Sequence, residues 1–217
     1  ALVPVVSLAL GPRMAVGVAS MVGLPSVAQL LPEAVRMAER GFVLPAAGAI
    51  VIGAPVGSLI LTSIDPHMMT GAIGFAVMAM ALATWCGVSP GMARRNWVPM
   101  AAGFISGLLQ GAAGIGGPPS VAVAVARGGK PREQRGNVLG VVTVIALSGA
   151  ISQISFGIYT AQAFGLAVVL LPLFIGSTWA GSRFFSTGGQ RHFRTVALFL
   201  LLGIGMAAVI GALRNAL

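Results

Sequence analysis

Only four acidic residues occur in 217 positions: Glu33, Glu39, Asp65 and Glu133. Each sits in or beside a loop between apolar stretches, so neither a carboxylate pair for acid–base work nor a carboxylate-rich metal cluster can be assembled within them. No Ser/His/Asp arrangement is apparent either. The sequence therefore assigns no catalytic residue, no metal ligand and no cofactor. The single Cys86 excludes an internal disulfide and reads as a packed thiol. Charged residues make up 8% of the chain, against roughly 25% in an average soluble domain. That is too few to clothe a water-facing surface.

Apolar length takes their place. Hydrophobic residues make up 57% of the chain, and they fall in stretches long enough to cross a bilayer as helices. Spans are read at Met14–Leu31, Phe42–Ile64, Met68–Val88, Val138–Phe156, Ala163–Phe185 and Phe193–Leu213, with a further segment, Trp97–Ala126, interrupted by glycines. The opening stretch Ala1–Leu10 is about half a span and lacks a signal peptide's charged flank, so the expectation is that a first part of this segment is absent. An all-α polytopic membrane protein surrounded by lipid bilayer follows. The 13 Lys/Arg could suggest nucleic acid. They lie in short loops between spans, as membrane orientation requires, and nucleic acid is discarded as a partner.

An internal repeat divides the chain. A shift of 123 residues places Gly17 on Gly140, Ser20 on Thr143, Leu24 on Leu147, and Ile52-Gly53 on Ile175-Gly176. Pro4 meets Pro119 only at an offset of 115, a change absorbed by a longer loop around Gly128–Arg132. Two repeated halves result, residues 1–92 and 93–217. Loop charge then orients them. If Trp97–Ala126 crosses fully, the two faces collect 8 and 5 basic residues. If it dips in and returns, Arg36, Arg40, Arg94, Arg95, Arg127, Lys130, Arg132, Arg135, Arg183, Arg191 and Arg194 share one face, with only Arg13 and Arg214 opposite. The positive-inside rule favours the re-entrant reading. Each half then has three spans plus a broken Gly-rich segment, and an odd number of spans makes the halves inverted.

The break itself runs Gln110-Gly-Ala-Ala-Gly-Ile-Gly-Gly-Pro-Pro119. In hydrocarbon an unpaired backbone polar group costs several kcal/mol, so such a break persists only where it is buried in protein or lines a polar cavity. Pro is well tolerated in a first helical turn, and the free amides of that turn, at the positive end of the helix dipole, favour an anion. No Lys or Arg lies securely within a span, so binding falls to amides and hydroxyls. Gly114, Gly116 and Gly117, with Gln110 and Ser120, are the candidate substrate-binding residues. Ser20, Thr143 and Gln153 join them as intramembrane polar groups expected to face the bundle interior. Gln29, Ser148 and Ser152 rank below. Against this, Ser and Thr also bond back to their own helix, and Gly53, Gly57, Gly103 and Gly107 suit close helix packing. Consecutive Gly116-Gly117-Pro118-Pro119 suits no continuous helix. Nucleotide-binding spacings are not met.

Gly107-Leu-Leu-Gln-Gly-Ala-Ala-Gly-Ile-Gly-Gly-Pro-Pro119, a basic loop and Gly140-Val-Val-Thr143 resemble the second half of the TauE/SafE sulfite exporter family. Arg13-Met-Ala-Val-Gly-Val-Ala-Ser20 and Gly53-Ala-Pro-Val-Gly57 resemble its first half. The resemblance implies a multi-pass secondary transporter of the bacterial cell inner membrane, whose partner is a small sulfur-containing anion such as sulfite or a sulfonate. It also implies a first glycine-rich break before Leu2-Val-Pro4; that stretch is present, the break is not, and half of the expected site falls outside the sequence. A channel-like anion pore and a non-transporting membrane subunit are the rival readings. Nothing in the residues fixes oligomeric state, and a homo-oligomer stays open.

Single cysteines placed at Arg95 and at Lys130 should both react with an impermeant thiol reagent from the cytoplasmic side. Reaction from opposite sides would end the re-entrant reading and the inverted repeat with it.

Overall fold

A computed structural model describes residues 3, 10–86 and 89–184. The span read at Phe193–Leu213, most of Ala1–Leu10 and the side chain of Gln29 lie outside the described residues. Every regular element described is a helix: α1 (Pro12–Met37), α2 (Arg40–Ser63), α3 (Pro66–Cys86), the short α4 (Pro90–Ala93), α5 (Val98–Ala113), α6 (Gly117–Ala126), α7 (Pro131–Ser155) and α8 (Ala161–Phe184). Proline marks where they start. Pro12, Pro66, Pro90 and Pro131 open their helices, and Pro99 and Pro118 come second, positions whose N–H would have no helical partner in any case. Pro25, Pro32, Pro45, Pro55 and Pro172 sit inside helices, a placement that membrane bundles tolerate because neighbouring groups take up the freed carbonyls.

Two helices, Arg40–Ser63 and Pro131–Ser155, are long and apolar enough to cross a membrane, and Val98–Ala113, Gly117–Ala126 and Ala161–Gly176 are shorter apolar helices. Large apolar side chains point outward: Ile52, Phe75, Val169 and Leu173 are 64–71% exposed. Such a surface suits lipid.

The tightest packing joins α2 to α5. A Cβ on Gly57 would lie 2.1 Å from the Leu108 carbonyl oxygen, and one on Gly111 would lie 2.1 Å from that of Ala54. Gly103 abuts Ala46 and Gly107 abuts Ile50, so the register is constant and the two helices run parallel. The packing role expected of Gly53, Gly57, Gly103 and Gly107 is borne out. Backbones this close let Phe42, Ile50, Val98, Val123, Val141 and Ile145 form one buried cluster. A second gathers Val3, Val16, Leu61, Met69 and Ile73.

Polar contacts tie the two ends of the bundle. At the basic end the Arg127 guanidinium meets the Glu39 carboxylate at 3.3 Å and stacks over the Phe42 ring. Asn137 of α7 accepts the Glu39 N–H at 2.8 Å and donates to its carboxylate at 3.3 Å. Arg94 Nε donates to the Arg127 carbonyl at 3.3 Å. At the other end the Arg13 guanidinium donates to the Thr62 carbonyl. Arg94 lies before α5 and Arg127 after α6, so Trp97–Ala126 is a helical hairpin that runs inward on α5 and returns on α6. The helices α1 and α7, which the 123-residue sequence offset aligns, pack antiparallel: Gly136 of α7 abuts Met37, and Gly17 abuts Ile158.

The α2–α5 contact generates a stability test. Gly111→Ala puts a methyl against a backbone carbonyl and should cost about 1–3 kcal/mol, as overpacking does, lowering the melting temperature in detergent. Gly48→Ala, on α2 with nothing within 4 Å of the new Cβ, should leave the melting temperature unchanged or raise it. An unchanged melting temperature for Gly111→Ala would show that α2 and α5 are not in backbone contact there.

Candidate functional site

The hairpin turns at Gly114, where φ is 67°, in the left-handed region that glycine adopts without strain. Its N–H donates to the Gln110 carbonyl at 3.0 Å. The Gln110 side chain then spans the break, and its Oε1 accepts the Gly116 N–H at 3.0 Å. From α7, Gln153 Nε2 donates to the same Gln110 carbonyl at 3.2 Å. Two glycines make room for this residue. A Cβ on Gly116 would stand 2.6 Å from Gln110 Cβ and 2.2 Å from the Ser106 carbonyl oxygen, and one on Gly149 would stand 2.6 Å from Gln110 Cγ.

Further along, α6 folds back on α5 through a serine pair. Ser106 Oγ accepts the Ser120 N–H at 3.0 Å and pairs with Ser120 Oγ at 2.8 Å. Ser152 of α7 donates to Ser58 Oγ of α2 at 2.9 Å. All of these side chains are buried, and hydrogen bonds in such surroundings are electrostatically stronger than in water. Ser58 and Ser106 were not among the residues expected from sequence. Ser106 could have been found, since it lies one helical turn before Gln110 and shares its face.

These bonds leave little of the helix N-terminus free. Pro118 and Pro119 have no N–H, and that of Ser120 is taken. Gly117 therefore supplies the N-terminal amide of α6 without a partner among the described residues. Gly116 and Gly117 also differ in surroundings: the first is packed, while a Cβ on the second would meet nothing within 4 Å.

Among the described residues, four buried side-chain atoms have no partner: Ser20 Oγ, Thr143 Oγ1, Gln153 Oε1 and Tyr159 Oη. Native interiors leave few such groups, and each one calls for an explanation. Burial pushes the Tyr159 phenol, in the loop between α7 and α8, up to about 12. The antiparallel packing of α1 and α7 fixes the depth of the rest. Met37 abuts Gly136 and Gly17 abuts Ile158, so Ser20 lies level with the region of Gln153. Thr143 stands roughly 16 Å along the helix axis toward the basic end at about 1.5 Å per residue. The break lies between them, with Gly116 against Ile145 and Gln110 bonded to Gln153.

The structure thus joins Gln110, Gly114, Gly116 and Gln153 in one hydrogen-bonded set, with the Ser106–Ser120 pair against Gly116. Ser20 and Thr143 flank it at different depths. An apolar groove of about 540 Å³ opens on another side of the hairpin, lined by Phe75, Met80, Trp97, Ile105 and Pro118 among others. It offers an anion almost no donor. Among the described residues no cluster of His, Cys, Asp or Glu could hold a metal ion.

No curated protein and no solved structure matches the chain. The family model described as sulfite exporter TauE/SafE matches residues 1–208, which include every residue of the hydrogen-bonded set. Matched over nearly its whole length, the chain belongs to the TauE/SafE sulfite exporter family.

Proposed function

We propose that the protein is a secondary transporter that moves sulfite or a related sulfur oxyanion or organosulfonate across the bacterial inner membrane, binding it at the broken helix. Family membership supports a membrane anion transporter and a non-enzymatic role. The observation that carries the site is the set of buried, unpartnered polar atoms around the break. Leaving a buried hydroxyl without a partner costs about 1–3 kcal/mol, so two of them beside a break point to an occupant.

In this reading an anion coming from the basic end meets the Thr143 hydroxyl first, then the break with its Gly117 amide, and the Ser20 hydroxyl beyond it. Gly116 and Ser120 hold their amides in reserve. The acceptors those amides now use, Gln110 Oε1 and Ser106 Oγ, are neutral, and a hydrogen bond to an ionised acceptor is roughly twice as strong. An arriving oxyanion therefore competes well for them. The absence of Lys and Arg from the set keeps affinity moderate, which suits an anion that must leave on the far side.

The hairpin ends meeting at Arg94 and Arg127 support the re-entrant topology. The antiparallel packing of α1 and α7 supports two inverted halves, 1–92 and 93–217. Saturable sulfite flux in proteoliposomes is expected, whereas flux linear in concentration would indicate a pore.

Thr143→Val tests the site directly. It keeps the shape and removes a hydroxyl that has no partner among the described residues, so the variant should fold and melt at or above the wild-type temperature. Its sulfite affinity should fall about tenfold or more, given roughly 1.5–3 kcal/mol for a hydrogen bond to a charged ligand. Wild-type affinity in a well-folded Thr143→Val protein would remove Thr143 from the site.

A further inference from the structure

Gln153 is fully buried, and its amide orientation is fixed by its neighbour. Nε2 faces the Gln110 carbonyl oxygen at 3.2 Å; a flipped amide would set two oxygens against each other. Oε1 is therefore the end left over, and it has no donor among the described residues. A hydroxyl can turn to suit either kind of partner, but an amide oxygen only accepts. The side-chain oxygen of its partner residue, Gln110 Oε1, is likewise an acceptor and is occupied by the Gly116 N–H.

This creates a conflict with a bare oxyanion. A fully deprotonated sulfite presents only acceptors and a double negative charge. It would face Gln153 Oε1 oxygen to oxygen, with no lysine or arginine in the set to offset the charge. The charged and titratable groups on the elements around Gln153 lie at the two bundle ends: Arg13, bonded to the Thr62 carbonyl, Asp65 and Tyr159 at one, and Glu33, Arg36, Glu39, Arg40, Arg127, Arg132, Glu133 and Arg135 at the basic one. The cost of desolvating an ion also grows with the square of its charge, so a monoanion enters far more readily than a dianion.

We infer that the species bound is the singly protonated oxyanion, hydrogen sulfite, whose acid proton is donated to Gln153 Oε1 while its other oxygens take donors at the same depth, the Ser20 hydroxyl first among them. This rests on the sulfite reading above and names the ionic form that the site selects. The proton then travels with the anion. A sulfonate, monoanionic but without that proton, leaves the amide oxygen bare and binds less well.

Calorimetry on the protein in lipid nanodiscs, with dilute sulfite and with methanesulfonate, over a pH range that straddles sulfite's second ionisation, tests this. The dissociation constant for total sulfite should be flat below that ionisation and rise about tenfold per pH unit above it. The methanesulfonate constant should be weaker than that for sulfite on the acid side and flat throughout, since that ligand does not titrate; its curve also exposes any titration of the protein itself. Gln153→Met, which removes the acceptor at similar size, should reduce the preference for sulfite over methanesulfonate at low pH by about tenfold. Should that variant not fold, the wild-type series still decides. Sulfite affinity that stays flat or strengthens as pH rises, with methanesulfonate bound equally well, would overturn the inference and leave the transporter reading standing. Failure of both anions to bind at any pH would overturn the two together.

Discussion

A chain break in an apolar interior exposes amides that need partners, and here Gln110 and Ser106 hold three of them. The N–H groups of Gly114, Gly116 and Ser120 end on the Gln110 carbonyl, Gln110 Oε1 and Ser106 Oγ. Each would cost about 1–3 kcal/mol if left bare. Three together approach the whole stability margin of a typical fold, about 5–15 kcal/mol. The surrounding architecture serves this arrangement. Gly116 and Gly149 give the Gln110 side chain its room, and Gly53, Gly57, Gly103, Gly107 and Gly111 hold α5 hard against α2 so that Ser106 and Gln110 are delivered at the right depth.

The same economy limits what the break offers a ligand. A helix N-terminus is usually a ready anion site because up to four of its amides lack partners. In α6, two of these positions are proline and a third amide is held by Ser106, so Gly117 alone stays open. In the proposed site donor capacity moves instead to hydroxyls on the flanking helices, Ser20 on α1 and Thr143 on α7, whose oxygens have no partner among the described residues. Scaffold and site share the break but divide its atoms between them.

Much of this was legible in the sequence. The spans at Phe42–Ile64 and Val138–Phe156 match α2 and the apolar part of α7, and the glycine-rich stretch does end one helix and start another. Gln110, Ser120 and Gln153 were readable because polar groups in apolar helices turn inward. Ser58 and Ser106 escaped for a physical reason: periodicity tells which face of a helix a residue occupies but not which helix that face meets. The difference between Gly116 and Gly117 was illegible for the same reason, since only the position of the Ser106 carbonyl separates them. The pairing of Ser20 with Thr143 by the repeat misleads in another way. Equivalent positions on antiparallel helices lie at mirrored depths, so sequence equivalence here means separation across the break.

Contacts at the basic end differ in kind from those between α2 and α5. The Arg127–Glu39 pair is partly exposed, with side chains 22% and 45% accessible, and such a pair contributes about 0–1 kcal/mol. The Asn137 side chain accepts the Glu39 backbone N–H and donates to the Glu39 carboxylate. The glycine interface, by contrast, holds backbones so close that sliding one helix past the other would drive each chain's carbonyls into its partner's. Any rearrangement that uncovers the break toward the basic end therefore meets least resistance at Glu39, Arg127 and Asn137, where α2, α6 and α7 join. It carries α2 and α5 as one piece, because their contact is the one that cannot yield gradually.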